Sequence, residues 1–463
     1  MPSHRLLPHW LRAGRLLVRR HAGRPRGAWS LATPVLFQEL AMVLSGAVVL
    51  WLASHLGASA VAAIGMIDAL GNLLHALFTA LAIGATVTAA HCVGARREGE
   101  LPAVAGSGLL LGLGAGGLLA LVLWFTRPAW IALIMPGVEP AVSEQADDYF
   151  RWLILADLPT GGVLVACGLL RGMGRTAAAT RINVVMNLLH VALGAGLMHL
   201  AGWGVSGAGA ALLAARVAAL LLALHLLRRA LAPAPGQLHG PRLSVERRYL
   251  RSIARVGWPA ALESSFFHVG KLITQSMVAG LGTTAMAANF IAFSVAALMN
   301  IPGNALGVAA TTLVGQRLGA RDTQGARRKL LALVRSATLA LSTLAALVLP
   351  FASPLVGLFG RDPEVMRHAS RLIMLNCLFM PVWALSFVLP AGLRGAGDTR
   401  YAMWVATAGM WLFRIATGYL LGIVLGLGVV GIWFGMFADW VVRGLLFWRR
   451  ARGDRWTRHS LLG

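Results

Sequence analysis

The sequence predicts an all-α polytopic membrane protein of 12 transmembrane helices, arranged as two parallel six-helix repeats around a central cleft. Three observations predict it. Of 463 residues, 57% are apolar and 13% charged, with a mean hydropathy of +0.71, whereas a soluble domain is nearer a quarter charged. Apolar runs of roughly 20 residues, the length that crosses a bilayer as a helix, recur along the chain. Short polar turns recur as well, at a nearly constant distance. Leu393-Arg394-Gly395-Ala396-Gly397-Asp398-Thr399-Arg400 echoes Leu170-Arg171-Gly172-Met173-Gly174-Arg175-Thr176 at 393 − 170 = 223. Leu56-Gly57 matches Leu281-Gly282 (offset 225), Val93-Gly94-Ala95-Arg96 matches Val314-Gly315-Gln316-Arg317 (offset 221), and Gly204-Val205-x-Gly207 matches Gly428-Val429-x-Gly431 (offset 224). One unit is therefore written twice in the same order.

Lipid-facing spans must satisfy their backbone internally, which makes them helices. In the first half they fall near 32–53, 60–90, 103–125, 146–169, 178–200 and 206–228. In the second half they fall near 253–279, 285–313, 329–350, 366–390, 401–424 and 429–448. Arginine is concentrated in the even-numbered connections, around Arg96, Arg171, Arg175, Arg317, Arg321, Arg394 and Arg400. The odd connections hold mainly Arg127, Arg151, Arg361 and Arg367. Positive loops stay inside, so both termini are expected in the cytoplasm of a cell whose inner (plasma) membrane the chain spans. The expected division is a basic arm over 1–28, an N-lobe over 29–228, a linker over 229–252 with Pro233, Pro235 and Pro241, a C-lobe over 253–448 and a basic tail over 449–463. Six spans per half is an even number, so both halves enter from one side, and a substrate cleft is expected at their interface near the midplane.

The net charge of +24 would suggest nucleic acid in a soluble protein. Here the basic residues follow the loop pattern instead, and no nucleic-acid partner is expected. Cys92, Cys167 and Cys377 are far apart and beside apolar runs, which suits packing rather than a disulfide framework or a zinc site. No GxxxxGK[ST] loop, HExxH pair or nucleophile triad is present, so ATP driving, a resident metal and hydrolytic catalysis are not expected.

Acids inside spans are costly and mark function. Glu39 and Glu263 stand at 263 − 39 = 224, each shortly after a proline, Pro34 or Pro259. Equivalent positions in two bundles would face each other across the cleft, where either carboxylate can carry a proton or hold Na⁺. Pairing with a loop arginine such as Arg255 is the structural alternative. Asp68 and Asp157 are further candidates for ion coupling, with interhelical hydrogen bonding as the rival role. Asp439, four residues before Arg443, reads as half of a structural pair, and Arg414 likewise. Lys271 lies in mid-span and calls for a carboxylate from another helix, Asp68 or Glu39. The polar residues Gln38, Asn187, Gln275 and Asn300 are candidate cavity groups, with packing glue as the alternative. Trp383 offers an aromatic face and Met277 an adaptable apolar wall. Trp258 and Trp411 are lesser candidates for the same cleft.

Together the duplication, Leu393-Arg394-Gly395-x-Gly397-Asp398-Thr399-Arg400, Trp411-x-x-Arg414, Leu313-Val314-Gly315-Gln316-x-Leu318-Gly319-Ala320 and Pro302-Gly303-Asn304-x-Leu306-Gly307 resemble the MATE (multidrug and toxic compound extrusion) family over about residues 31–448. The resemblance implies secondary active export of cationic or amphipathic compounds in exchange for H⁺ or Na⁺, with two lobes that rock. Separately, no cofactor is expected and the chain is expected to act as a monomer. Glu263 matches an acidic position of DinF-like members. Three family aspartate positions are held here by Trp383, Val191 and Val49, so the resemblance also implies a rearranged coupling site. A lipid-linked precursor flippase, which would favour a basic cavity around Lys271, Arg216 and Arg414, and an intramembrane enzyme are the alternative readings, with a passive channel behind them.

Overall fold

The computed structural model describes residues 27–135, 137–232, 242–360, 362–459 and 461. Most of the basic N-terminal arm, the centre of the linker and Arg361 lie outside the described residues. Among those described there is no strand, and the chain forms twelve long helices. They are α1 (Ala28–Ser54), α2 (Ala58–Gly94), α3 (Leu101–Ile134), α4 (Pro140–Gly172), α5 (Thr176–Ala195, ending in a π turn over Gly196–Leu200) and α6 (Gly204–Leu231). The second half supplies α7 (Arg247–Ala279), α8 (Thr283–Gly319), α9 (Thr323–Val348, extended by Ala352–Gly357), α10 (Pro363–Gly395), α11 (Thr399–Ala408, continued as π helix over Gly409–Thr417 and Leu420–Val424) and α12 (Gly428–Arg452). Eleven of them are long and apolar enough to cross a membrane. The exception, α7, begins in a basic stretch (Arg247, Arg248, Arg251, Arg255) and carries Glu263 and Lys271.

Each lobe is held by its own helices, α2, α4 and α6 in the first and α8, α10 and α12 in the second, and α1 with α2 meets α7 with α8 between them. The recurring turn explains much of this packing. Its second glycine ends a helix in the left-handed region, Gly174 at φ +74° and Gly397 at φ +86°, and the following amide reaches back to close the turn, Arg175 to the Leu170 carbonyl and Asp398 to the Leu393 carbonyl. A side chain there would be strained. Its first glycine permits a close crossing: a Cβ on Gly172 would stand 2.4 Å from the Thr86 carbonyl oxygen, and one on Gly395 2.4 Å from that of Thr311. The threonines repeat too. Thr86 donates to the Gly168 carbonyl and Thr311 to the Ala391 carbonyl, both at 2.9 Å.

Between the lobes, every side-chain hydrogen bond among the described residues lies at the end where the even-numbered connections are. Gln316 on α8 donates to the Gly172 carbonyl (2.9 Å) and Thr312 to that of Arg171 (3.3 Å), while His91 on α2 lies 3.0 Å from the Gly395 carbonyl. The helix-end carbonyls of one lobe are thus satisfied by side chains of the other. His91 and Gln316 are equivalent, at 316 − 91 = 225. The same crossing brings Gly94 against the Gln316 carbonyl and Gly319 against the His91 carbonyl. This corrects one register: the counterpart of Val93-Gly94-Ala95-Arg96 is Leu318-Gly319-Ala320-Arg321, one turn beyond the motif that sequence matching selects. Arg96 (φ +57°) and Arg321 (φ +59°) share the left-handed turn.

Candidate functional site

Two cavities lined by the candidate residues, the principal ones for the site, follow from this frame. The central one, about 460 Å³, lies between the lobes. Gln38 and Glu39 of α1 line it, with His75 of α2, Asn187 of α5, Arg216 of α6 and, from the second lobe, Trp383, Phe387 and Arg394 of α10. Trp383 and Phe387 stack at 4.4 Å between centroids. Gly303 of the Pro302-Gly303-Asn304 motif is what lets Trp383 lie there, since a Cβ would stand 2.2 Å from the indole. The C-lobe cavity, about 340 Å³, is lined by Lys271, Gln275, Asn289, Arg414 and Trp433 among others.

Glu39 and Glu263 do not face each other. Glu263 accepts a hydrogen bond from Arg394 Nη1 at 2.8 Å and lines a separate cavity of about 190 Å³. Arg394, Phe387 and Ile83 line both that cavity and the central one, so an arginine stands between the two acids. The expected loop partner Arg255 is not the one found. Glu39 lies within electrostatic reach of Arg171, whose guanidinium donates to Gln38 Oε1 at 3.0 Å. The arrangement repeats: α1 acid with α4 arginine, α7 acid with α10 arginine.

Asp68 and Asp157 belong to an N-lobe cluster. Asp68 accepts from the Tyr149 hydroxyl at 2.9 Å. Asp157, 3% exposed, accepts from Arg216 Nη1 at 3.4 Å, and its other oxygen is buried without a partner. Arg216 is within electrostatic reach of Asp68, Asp157, His75 and His190 alike. Two acids, two imidazoles and a phenol around one guanidinium can pass or store a proton. His75 and Tyr149 went unrecognised in the sequence. The Asp157–Arg216 pairing did carry an elementary signal, since the two are opposite charges in mid-span of the same half.

Lys271 has no ion pair with a carboxylate among the described residues, contrary to the expectation of Asp68 or Glu39. Its charged neighbour is Arg414. Arg414 does pair structurally, with Asp439 at 3.2 Å, and Asp439 also meets Arg443 at 3.6 Å. The π-helical stretch of α11 places Gly409 against Asp439 and Arg443, with no room for a Cβ. Gln275 lines the C-lobe cavity. Met277 packs on the C-lobe core, and Asn300, whose Oδ1 is buried without a partner, lines neither principal cavity, nor do Trp258 and Trp411. Asn183 is glue, donating to Gln38, Cys167 and Ala179. The three cysteines are buried and unpaired.

A duplicated bundle of membrane-length helices, with a cleft between lobes joined at one end, has the architecture of a membrane transporter. The MatE family model matches residues 34–195 and again 259–420, a spacing of 259 − 34 = 225. The chain belongs to the MatE family of multidrug efflux transporters and is not an enzyme. It is 30% identical over 449 residues to a probable multidrug resistance protein NorM of Burkholderia mallei, covering 90% of this chain and 91% of that one. It is 24% identical over 456 residues to the uncharacterised transporter YisQ of Bacillus subtilis, covering 96% and 98%. Among solved structures, an outward-facing multidrug resistance MATE transporter superposes with a TM-score of 0.83 at 21% identity, over 92% of this chain and 94% of that one.

Proposed function

We propose that the chain is an antiporter that exports amphipathic organic compounds across the cytoplasmic membrane, driven by inward proton movement through the N-lobe cluster. The observation that carries this reading is the Asp157–Arg216 pair at 3.4 Å, whose arginine lines the central cavity. With the even connections in the cytoplasm, the closed end is the inner one and the arrangement is outward-facing. A proton from outside then neutralises Asp157 and frees Arg216 to change partners, which couples the ion to cargo release. The proton is favoured over Na⁺ because the Asp157 oxygen left without a partner can take a proton, whereas the Arg216 guanidinium on the other oxygen repels a sodium ion. The return requires the Gln316, Thr312 and His91 contacts to break, so protonation must favour that state differentially.

Cationic cargo has Glu39 and the Trp383–Phe387 stack in its favour; against it, Arg171, Arg216 and Arg394 line the same cavity. That basic lining also favours the second reading, a flippase for lipid-linked precursors. Purified protein in liposomes, given a pH step or a Na⁺ step singly, tests the proposal. Cargo movement on the pH step alone, lost in Asp157→Asn, supports it, and movement on the Na⁺ step alone would overturn the proton assignment.

A further inference from the structure

The C-lobe cavity presents hydrogen-bond donors and positive charge without a free acceptor of matching charge. Lys271 projects into it and is exposed. Arg414 lines it too, 4% exposed, with its Nε buried and without a hydrogen-bond partner. The acid beside them, Asp439, is 0% exposed and is shared by Arg414 and Arg443. Lys271, Arg414 and Arg443 against Asp439 leave two positive charges uncompensated among the described residues. A charge held at membrane depth without a partner is costly.

The neutral groups point the same way. The Trp433 indole is a donor only, and it donates to Asn289 Oδ1 at 2.9 Å. That fixes the Asn289 amide, whose nitrogen then donates to Gln275 Oε1 at 3.3 Å. The relay turns the Gln275 NH₂ into a further donor for the cavity. The two hydroxyls nearby give their protons to their own helices, Thr274 to the Gly270 carbonyl and Ser294 to that of Phe290, so the donors left to the cavity are Lys271, Arg414 and the Gln275 amide. Phe293, tilted against Trp433 at 5.0 Å between centroids, gives an aromatic wall.

We infer that the C-lobe cavity, of about 340 Å³, is a binding site for an organic anion, a carboxylate, sulfonate or phosphate group on an aromatic or apolar body, with Lys271, Arg414 and the Gln275 amide holding the head and Trp433 and Phe293 the body. Arg414 is kept in place by Asp439 whether or not the site is filled, whereas Lys271 is the free charge that the ligand neutralises. This names the charge class of the compounds and rests on the export reading only for the step from binding to transport.

The test is equilibrium binding to the full chain in nanodiscs of neutral phosphatidylcholine, with no gradient present. Two probes share one aromatic body: dansylglycine, which carries a carboxylate, and dansylcholine, which carries a quaternary ammonium. Dansylglycine should bind more tightly than dansylcholine. Lys271→Gln should weaken dansylglycine by about tenfold or more, the scale of a lost charged hydrogen bond. Lys271→Arg should restore it, which a mere loss of folding would not allow, and Gln275→Ala should give a smaller loss. If phosphatidylglycerol in the nanodisc competes with dansylglycine in a Lys271-dependent way, the site holds and its natural anion is a lipid head group; no competition points to a soluble anion. Equal binding of dansylglycine to the parent and Lys271→Gln, or tighter binding of dansylcholine, overturns the inference. Dansylglycine binding without gradient-driven flux would leave the site standing and sink the export reading. Proton-driven dansylcholine flux without dansylglycine binding would do the reverse.

Discussion

Arg394 Nη1 donates to Glu263 Oε1 at 2.8 Å, joining the last turn of α10 to the middle of α7. The side chains are only 20% and 14% exposed, so the pair is largely removed from solvent. Arg394 belongs to the recurring Leu-Arg-Gly turn, and the carbonyl of Gly395 beside it is bound by His91 of the other lobe. The ion pair therefore braces the same turn that closes the end carrying the even-numbered connections. A double-mutant cycle with Glu263→Gln and Arg394→Gln, read as thermal midpoints in detergent, should show a coupling of about 1 kcal/mol or more. Effects that simply add would remove the pair from the closure.

The N-lobe cluster predicts non-additivity in transport. Asp157→Asn and Arg216→Gln should each reduce proton-driven flux by about tenfold or more, and the double variant should lose little further, as for groups that act as a unit. Tyr149→Phe removes the donor to Asp68 and should give an intermediate loss with a shifted pH profile. Multiplying losses in the Asp157→Asn/Arg216→Gln double variant would mean that the two act separately.

The close helix crossings predict a steric asymmetry between glycines. Gly395→Ala and Gly172→Ala press a methyl against a backbone carbonyl, which should destabilise by about 1–3 kcal/mol. Gly46→Ala on α1, where a Cβ meets nothing within 4 Å, should be neutral or slightly stabilising. Thermal unfolding of the three variants against the parent checks this. An equal response at all three positions would refute the crossing as the role of the first glycine.

Asp398, in the connection after α10, predicts an acid-side dependence. Burial pushes its carboxyl up, but the nearby His459 imidazole and the hydrogen bonds and charge of Arg450 outweigh burial, and the net shift is below the ordinary 3.8. Arg450 binds it at 2.8 and 3.2 Å. A folded pKa below the unfolded one means that the stabilisation is present above the unfolded value and is lost as the pH falls through the folded one. The parent should therefore lose stability below about pH 4, and Asp398→Asn should start less stable at neutral pH with a flatter acid limb. Parallel curves for the two would contradict the role.

Hydropathy and repetition made the fold legible. Twelve apolar runs gave twelve helices, and the Arg-Gly-x-Gly turn marked where α4 and α10 end. The site was legible only where one residue carried its own signal. Glu39, Asp68, Asp157, Glu263 and Lys271 stand out because a charge in an apolar run is costly wherever it points. Apart from Arg216, itself a charge in an apolar run, their partners do not, because pairing is decided by helix rotation and depth, which composition does not encode. Arg394 reads as a loop charge, yet it turns back to Glu263, 131 residues away in sequence. Lys271 calls for a carboxylate on charge balance, yet the helices around it bring Arg414. The offset of 221 arose because Val-Gly-x-Arg occurs near Leu-Gly-Ala-Arg on α8, and only the crossing with α2 selects the second.

The central claim is that cargo leaves in exchange for protons through Asp157 and Arg216. The most direct measurement is simultaneous recording of lumenal pH and dye movement in proteoliposomes under a dye gradient, with no imposed pH or Na⁺ difference. The account predicts proton movement opposite to the dye, unchanged by Na⁺ and absent in Asp157→Asn. Dye movement with no accompanying pH change, equal in parent and Asp157→Asn, would contradict it.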